Sequence, residues 1–229
     1  MSCSEIIQSN DVYDFIVSND ERNTPLIEPI CIQPINRQYD ILYYDTSITG
    51  EPVLELEYYM QGVDGYSVRS SWDKSAIYAA IIGGSNNVSH GHMDAGTFIY
   101  NNKGRTWFAD LGSDNYNYSP SYFSNYKLYR LGAEGHNIIC LAGSSAVPYG
   151  QIKNASAPII DYSTGDVNGG YTIIDTAPVY GSEVKSAKRG MLFTDSRSSV
   201  VIQDEITFNG TKTAYWFGHY RIGTGYVDD

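Results

Sequence analysis

The stretch 88–116, "VSHGHMDAGTFIYNNKGRTWFADLGSDNY", decides the fold. Its second half contains two short runs, "GTFIYNN" and "RTWFADLG", rich in the aromatic and β-branched residues that suit a pleated, half-buried surface. Between them Asn101 to Gly104 supply residues that tolerate positive φ, so the two runs are expected to pair as a hairpin. Further runs of the same character lie on either side: "YSVRSSW", "SAIYAAIIGG", "HNIICLAG", "YTIIDTA", "RGMLFTD", "SVVIQDEI" and "TKTAYWFGHY". Each is bounded by Gly, Asn, Asp or Ser, and a second hairpin is expected to turn at Ser196 to Ser198. Short strands at near-regular spacing predict an all-β fold, an antiparallel β-sandwich over residues 41–229.

Residues 1–40 read differently. "CSEIIQSNDVYDFIVSNDE" places Ile6, Ile7, Val12, Phe15 and Ile16 at roughly helical intervals, and Pro25, Pro29 and Pro34 then punctuate an irregular stretch. A short helical segment followed by a connector is expected there.

Composition excludes some partners. The chain has 229 residues and a formal charge of −11, and its 15 Lys and Arg form no basic stripe, so nucleic-acid binding is not expected. The longest apolar run, Ala76 to Ile82, is too short for a membrane span. Cys3, Cys31 and Cys140 are odd in number and lack CxxC spacing, which argues against a thiolate metal site or a disulfide framework. The 21 tyrosines have two readings, sheet propensity or the lining of a carbohydrate groove, and composition does not choose between them.

The first half of the opening stretch contains the chemistry. If it is extended, His90, His92 and Asp94 share one face, because alternate residues of a strand point the same way. Asp110 ends the following apolar run, and His136 begins a later one. Two imidazoles and a carboxylate suit zinc and would leave one tetrahedral position open, although H-x-H also arises without any ligand role. His219, within "YWFGHY", is expected to be a packed, hydrogen-bonded core histidine.

The ordered set H-x-H-x-D, apolar strand, turn, strand ending in Asp-x-Gly, and later His-Asn resembles the C-terminal β-sandwich of the heparinase II/III-like polysaccharide lyases. The resemblance covers roughly residues 41–220. It implies that His92, Asp110 and His136 hold a structural zinc ion, and that His90 faces the substrate cleft as a catalytic residue. Asp94 has no role to carry over; an acceptor orienting a neighbouring imidazole and a solvated strand-end carboxylate both remain open. In the family an incomplete α/α toroid precedes the sandwich and supplies further catalytic groups. Only the segment before Asn23 is expected to be its remnant here, so the sequence reads as part of an enzyme.

The activity implied is β-elimination on an acidic, uronic-acid-containing glycan such as a glycosaminoglycan or alginate, with the toroid as partner domain. Family habit further implies a bacterial periplasmic or secreted parent, and some relatives form homodimers. Arg69, Lys127 and Arg130 are candidate cations for the polyanion, each also readable as a solvated charge. A non-catalytic carbohydrate-binding or structural β-sandwich with a stabilising metal site is the alternative. A metal-dependent hydrolase is a third reading, weakened because no glutamate adjoins the ligands as a general base.

Overall fold

The computed structural model describes residues 55–114, 126, 128–141, 150–164 and 168–220. The helical segment and connector expected over 1–40 lie outside the described residues. In chain order the strands are β1 (Glu57–Met60), β2 (Gly65–Arg69), β3 (Tyr78–Ile82), β4 (Gly84–Ser85), β5 (Phe98–Asn102), β6 (Arg105–Phe108) and β7 (Ile139–Leu141). They continue as β8 (Ser156–Ala157), β9 (Ile159–Ser163), β10 (Tyr171–Asp175), β11 (Val184–Thr194), β12 (Ser199–Phe208) and β13 (Ala214–Trp216). One α-helical turn, α1 (Ala177–Tyr180), stands between β10 and β11.

The strands form an antiparallel five-stranded sheet, order β1-β2-β3-β5-β6, and an antiparallel four-stranded sheet, order β12-β11-β10-β9. β13 pairs with β7, and β4 with β8. The expected sandwich is therefore present, and each of the nine expected runs contains a strand. β1, β4, β8 and β9 were not anticipated. β8 has two residues, and β9 is an edge strand whose Ile160, Asp161 and Tyr162 are all exposed, so neither shows a clean alternation.

Alternation is clear on β11, where buried Ala187, Arg189, Met191 and Phe193 alternate with Lys188, Gly190, Leu192 and Thr194. Their inward side meets Tyr66 and Val68 of β2, Ala79 and Ile81 of β3, and Phe98 of β5 in the main core. Each fully buried large apolar side chain contributes about 1.5–3 kcal/mol. Polar ties also join the sheets: Tyr66 donates its hydroxyl to the Ser163 carbonyl at 2.7 Å, and Arg197 pairs with the buried Glu57.

The hairpin turns follow the expected chemistry. Lys103 (φ 51°) and Gly104 (φ 72°) link β5 to β6, while Asp195, Ser196 and Arg197 all adopt positive φ between β11 and β12. Gly169 shows a stricter requirement. At φ 128° it lies where a Cβ would approach the Phe193 carbonyl oxygen to 2.0 Å. Gly169→Ala is expected to cost about 1–3 kcal/mol, which thermal denaturation would read as a loss of several degrees.

A second, smaller core positions the site. Met93, Ala133, Ile138 and Cys140 are buried together, with Tyr126 and Phe217 packed against them. The Met93 N–H donates to the Leu131 carbonyl at 2.9 Å, which joins the segment of His92 and Asp94 to that of His136.

Candidate metal centre

Residues 86–97, between β4 and β5, form a loop rather than the extended strand expected for His90, His92 and Asp94. The reason is local turn formation: Gly91 N–H bonds the Val88 carbonyl, Thr97 N–H bonds that of Asp94, and Gly96 takes φ 92°. Two buried amides hold the loop. Asn86 accepts from the Ala95 N–H at 3.3 Å and donates to Gln151 at 2.9 Å, and Gln151 donates to the Ala95 carbonyl at 2.7 Å. With Met93 fully buried on one side, His92 and Asp94 come together with His136. His90 instead is exposed and has φ 59°.

Asp110 follows β6, and the Asp-x-Gly motif has a mechanical role. Gly112, at φ 69°, donates its N–H to Asp110 Oδ1 at 2.7 Å, closing a turn that fixes the carboxylate. Asp110 Oδ2 then lies 3.2 Å from Nδ1 of His136. His136 is completely buried at the end of a 3-10 turn (Ala133–Gly135). Its Nε2 is also buried and has no hydrogen-bond partner among the described residues.

Asn137 completes the frame. Its amide donates to the carbonyls of Phe98 (2.7 Å) and Ala109 (3.0 Å), and its own N–H donates to Thr97 Oγ1. Its Oδ1 accepts from the His219 backbone N–H at 2.6 Å and lies 3.2 Å from His219 Nδ1. Because this amide oxygen is an acceptor, Nδ1 of neutral His219 carries the proton, and Nε2 accepts from the Tyr129 hydroxyl at 2.9 Å. His219 is thus hydrogen-bonded as expected, but it is half-buried beside the site rather than deep in the core.

The electrostatics separate the two inner imidazoles. Burial, followed by the charge of His136, lowers the pKa of His92. Burial alone would also depress His136, but its hydrogen bond to Asp110 and that carboxylate's charge raise it on balance. For Asp110, burial acts upward and is outweighed by the His136 hydrogen bond and charge, leaving a pKa of about 2.

The sign of the pH response follows. Without a cation, the Asp110 contribution to stability is present above the ordinary carboxylate range, near about 3.9, and is lost as pH falls toward about 2. The His136 contribution is present below about 6.5 and is lost as pH rises through the elevated folded value. A metal needs neutral imidazole, so metal affinity is expected to climb with pH across that upper arm. Thermal melts of chelator-treated protein and metal titrations at matched pH check both arms.

One nitrogen or oxygen from each of His92, Asp94 and His136 lies within 4.8 Å of the others, so this triad can hold a metal ion. The donor set fits a borderline cation such as zinc, and His136 Nε2 is a buried polar atom still lacking a partner among the described residues. Of the residues singled out in the sequence, His92 and His136 come together, Asp110 contacts His136, and His90 stands outside the triad. Sequence reasoning gave no role to Asn137, although "HN" belongs to the motif, and it missed Asn86, Gln151 and Arg189, which carry no motif.

The candidate cations are partly committed. Arg69 stacks on Trp72 at 3.8 Å, and Arg130 donates to the Leu111 carbonyl at 2.6 Å. Lys127 lies outside the described residues. Cys140 is buried in the small core, where burial pushes its thiol up to about 12.

Comparison with known proteins gives a consistent result. No curated protein matches the chain. Among solved structures, heparan sulfate lyase HepC from Pedobacter heparinus superposes with a TM-score of 0.61 at 19% identity, covering 76% of this chain and 26% of that one. The heparinase III BT4657 gene product gives 0.60 at 17% identity, with 76% and 25% covered. A further heparinase III gives 0.56 at 18%, with 71% and 24% covered. The chain thus spans about a quarter of the length of these structures, and at such identities the likeness speaks for the fold alone. The family model described as "Heparinase II/III-like, C-terminal" matches residues 65–222, which takes in the loop, the strands and every residue of the centre, and the chain belongs to that family.

Proposed function

We propose that the chain is the metal-binding β-sandwich of a polysaccharide lyase that cleaves uronic-acid-containing glycans by β-elimination, acting with an N-terminal α/α toroid. The observation that carries this reading is the family match over 65–222, together with the convergence of its ordered motif residues His92, Asp110 and His136 around one buried imidazole. Such a lyase removes the weakly acidic C5 proton of the uronate and expels the C4 oxygen. A base, an acid and donors to the neighbouring carboxylate are therefore required.

His90 is the residue of this chain assigned to the substrate, because its ring is exposed two positions before the buried His92. It acts as the neutral base or, when charged, as a donor to the uronate carboxylate. His92, Asp110 and His136 are assigned to a zinc ion, which when bound would supply a fixed cross-link between the loop and the His136 segment. The role is positional: pinning His92 fixes the backbone from which His90 projects.

The activity test is ultraviolet absorbance from unsaturated uronate, measured on several acidic glycans. The 229-residue chain alone is expected to give little or no turnover, and a protein joining it to the toroid is expected to give robust turnover. Activity lost on one glycan but kept on another would identify the substrate; activity on none would favour a carbohydrate-binding or structural sandwich. His92→Ala is expected to lower zinc content and melting temperature together, and zinc analysis paired with thermal denaturation checks this.

A further inference from the structure

Gly190 stands in the middle of β11, where the fold itself gives no reason for a glycine. A glycine inside a strand weakens it and usually marks a bulge, a sharp bend, or a close approach by a ligand or another backbone. The β10–β11 and β11–β12 registers run unbroken through Gly190, and its φ lies outside the left-handed range. A Cβ built on it would meet only the Thr172 carbonyl oxygen, at 3.8 Å, which is ordinary contact. A β-forming side chain would therefore fit there and strengthen the strand.

What the missing side chain leaves is a trough on the outer face of the four-stranded sheet, about 350 Å³ in volume. Small-molecule sites span about 300–1,000 Å³. Alternation sends Arg189 inward to the Gly96 and Asn137 carbonyls, so Lys188 and Gly190 face away from the candidate metal centre. In register across the sheet, Leu192 lies between Tyr171 and Val201, and these three form an apolar wall. The Tyr171 hydroxyl donates to Asp161 at 3.1 Å, which fixes the outer end of the ring. Lys188, Gln203 and Glu205 supply the polar side, with Gln203 donating to Glu205 at 2.7 Å.

This lining selects among occupants. A peptide adding a strand needs a bare sheet edge, and β10 and β11 are interior strands whose backbones are already paired. A wholly apolar partner would cover Lys188, Gln203 and Glu205 without hydrogen bonds, at a desolvation cost. A polyanion would meet excess negative charge, because Lys188 lies in register between Asp175 and Glu205. An uncharged pyranose satisfies every side: its C–H face packs on the Tyr171 ring, and its hydroxyls meet both donors and acceptors. We infer that the trough binds an uncharged sugar unit of a glycan, seated over Gly190 against Tyr171, at a site separate from the metal centre. The inference goes beyond the lyase reading and does not depend on it.

The test uses the full 229-residue chain, with cellotetraose, mannotetraose and N-acetylchitotetraose as uncharged probes and a uronate tetrasaccharide as the charged one. Calorimetry should show binding of at least one uncharged probe in preference to the charged one. On the wild-type chain, the amide resonances that move on titration should be those of 171–173, 188–192 and 201–205. Gly190→Val, which fills the floor, should weaken binding more than about 10-fold while holding or raising the melting temperature. Tyr171→Ala should weaken it by a similar factor.

Binding of none of the uncharged probes, or resonance shifts confined to other parts of the chain, would overturn the inference, and neither measurement needs a variant to fold. A lower melting temperature in Gly190→Val with unchanged affinity would give the glycine a role in the fold and overturn it equally. Preference for the uronate probe, lost in Lys188→Ala, would overturn the assignment to an uncharged sugar. A dimer in sedimentation that Gly190→Val dissociates would give the face to a second copy of the chain instead.

Discussion

Replacing His90 with alanine, in a protein that joins this sandwich to the proposed toroid, is expected to lower kcat by about 10²–10⁴-fold, the usual range for loss of a positioned acid or base. Zinc content and melting temperature should stay at their wild-type values, because the ring is exposed and lies outside the buried triad. The backbone supplies a sharper control. His90 occupies φ 59°, a left-handed conformation that costs an L-residue roughly 1–2 kcal/mol relative to glycine. His90→Gly should therefore hold or raise the melting temperature while lowering turnover as far as His90→Ala does. A non-glycine residue held at positive φ in an exposed loop is a candidate for a functional task. Steady-state kinetics on a uronate polymer, beside thermal melts of both variants, measure the two effects separately. Turnover in His90→Gly equal to that of wild type would remove His90 from the reaction.

Arg189→Met is expected to produce the largest loss of stability. Arg189 is 2% exposed on β11, and its guanidinium grips Asp204 of the neighbouring β12 with two bonds, at 2.7 and 2.8 Å. Its remaining terminal nitrogen donates to the carbonyls of Gly96 (2.8 Å) and Asn137 (2.6 Å). One side chain from the four-stranded sheet thus ties the end of the His92 loop to the residue after His136. Methionine fills similar space but leaves Asp204 unpaired and both carbonyls without this donor. Breaking a buried pair in that way costs about 3–5 kcal/mol. Asp204 is 19% exposed, and water reaching it places the expected cost at the lower end, about 3 kcal/mol. For a domain of this size that is a fall of roughly 6–12 °C in melting temperature. Zinc affinity should fall as well, since the two segments that bring the imidazoles together lose a shared anchor. Arg189→Lys should recover little, because an ammonium lacks the planar fork that meets a carboxylate and two carbonyls at once.

What could be read from the sequence divides along the same physical line. Strands such as β5, β11 and β12 are long enough for side-chain character to repeat, and their turns need residues like Gly104 that announce themselves. β9 gave no such signal, because it is an edge strand exposed on consecutive residues. The His-x-His-x-Asp segment was expected to be extended, and only part of that survives: His92 and Asp94 do meet His136, but around a buried Met93 in a loop. His90 leaves the group because its backbone turns to positive φ, which no composition rule foretells for histidine. The proximity of Asp110 and His136 was legible only through an ordered motif, since 26 residues separate them in the chain. Arg189 was invisible: a lone arginine on a strand reads as a surface charge until its partners are in place.

The most direct test of the account is diffraction from crystals of the zinc-loaded chain, recorded at the zinc absorption edge. A single anomalous peak is expected about 2.0–2.1 Å from one nitrogen each of His92 and His136. A carboxylate oxygen of Asp110 should join them, and the His90 ring should lie outside the coordination, facing solvent. A peak elsewhere in the molecule, or no peak while both imidazoles hold only protein hydrogen bonds, would contradict the account.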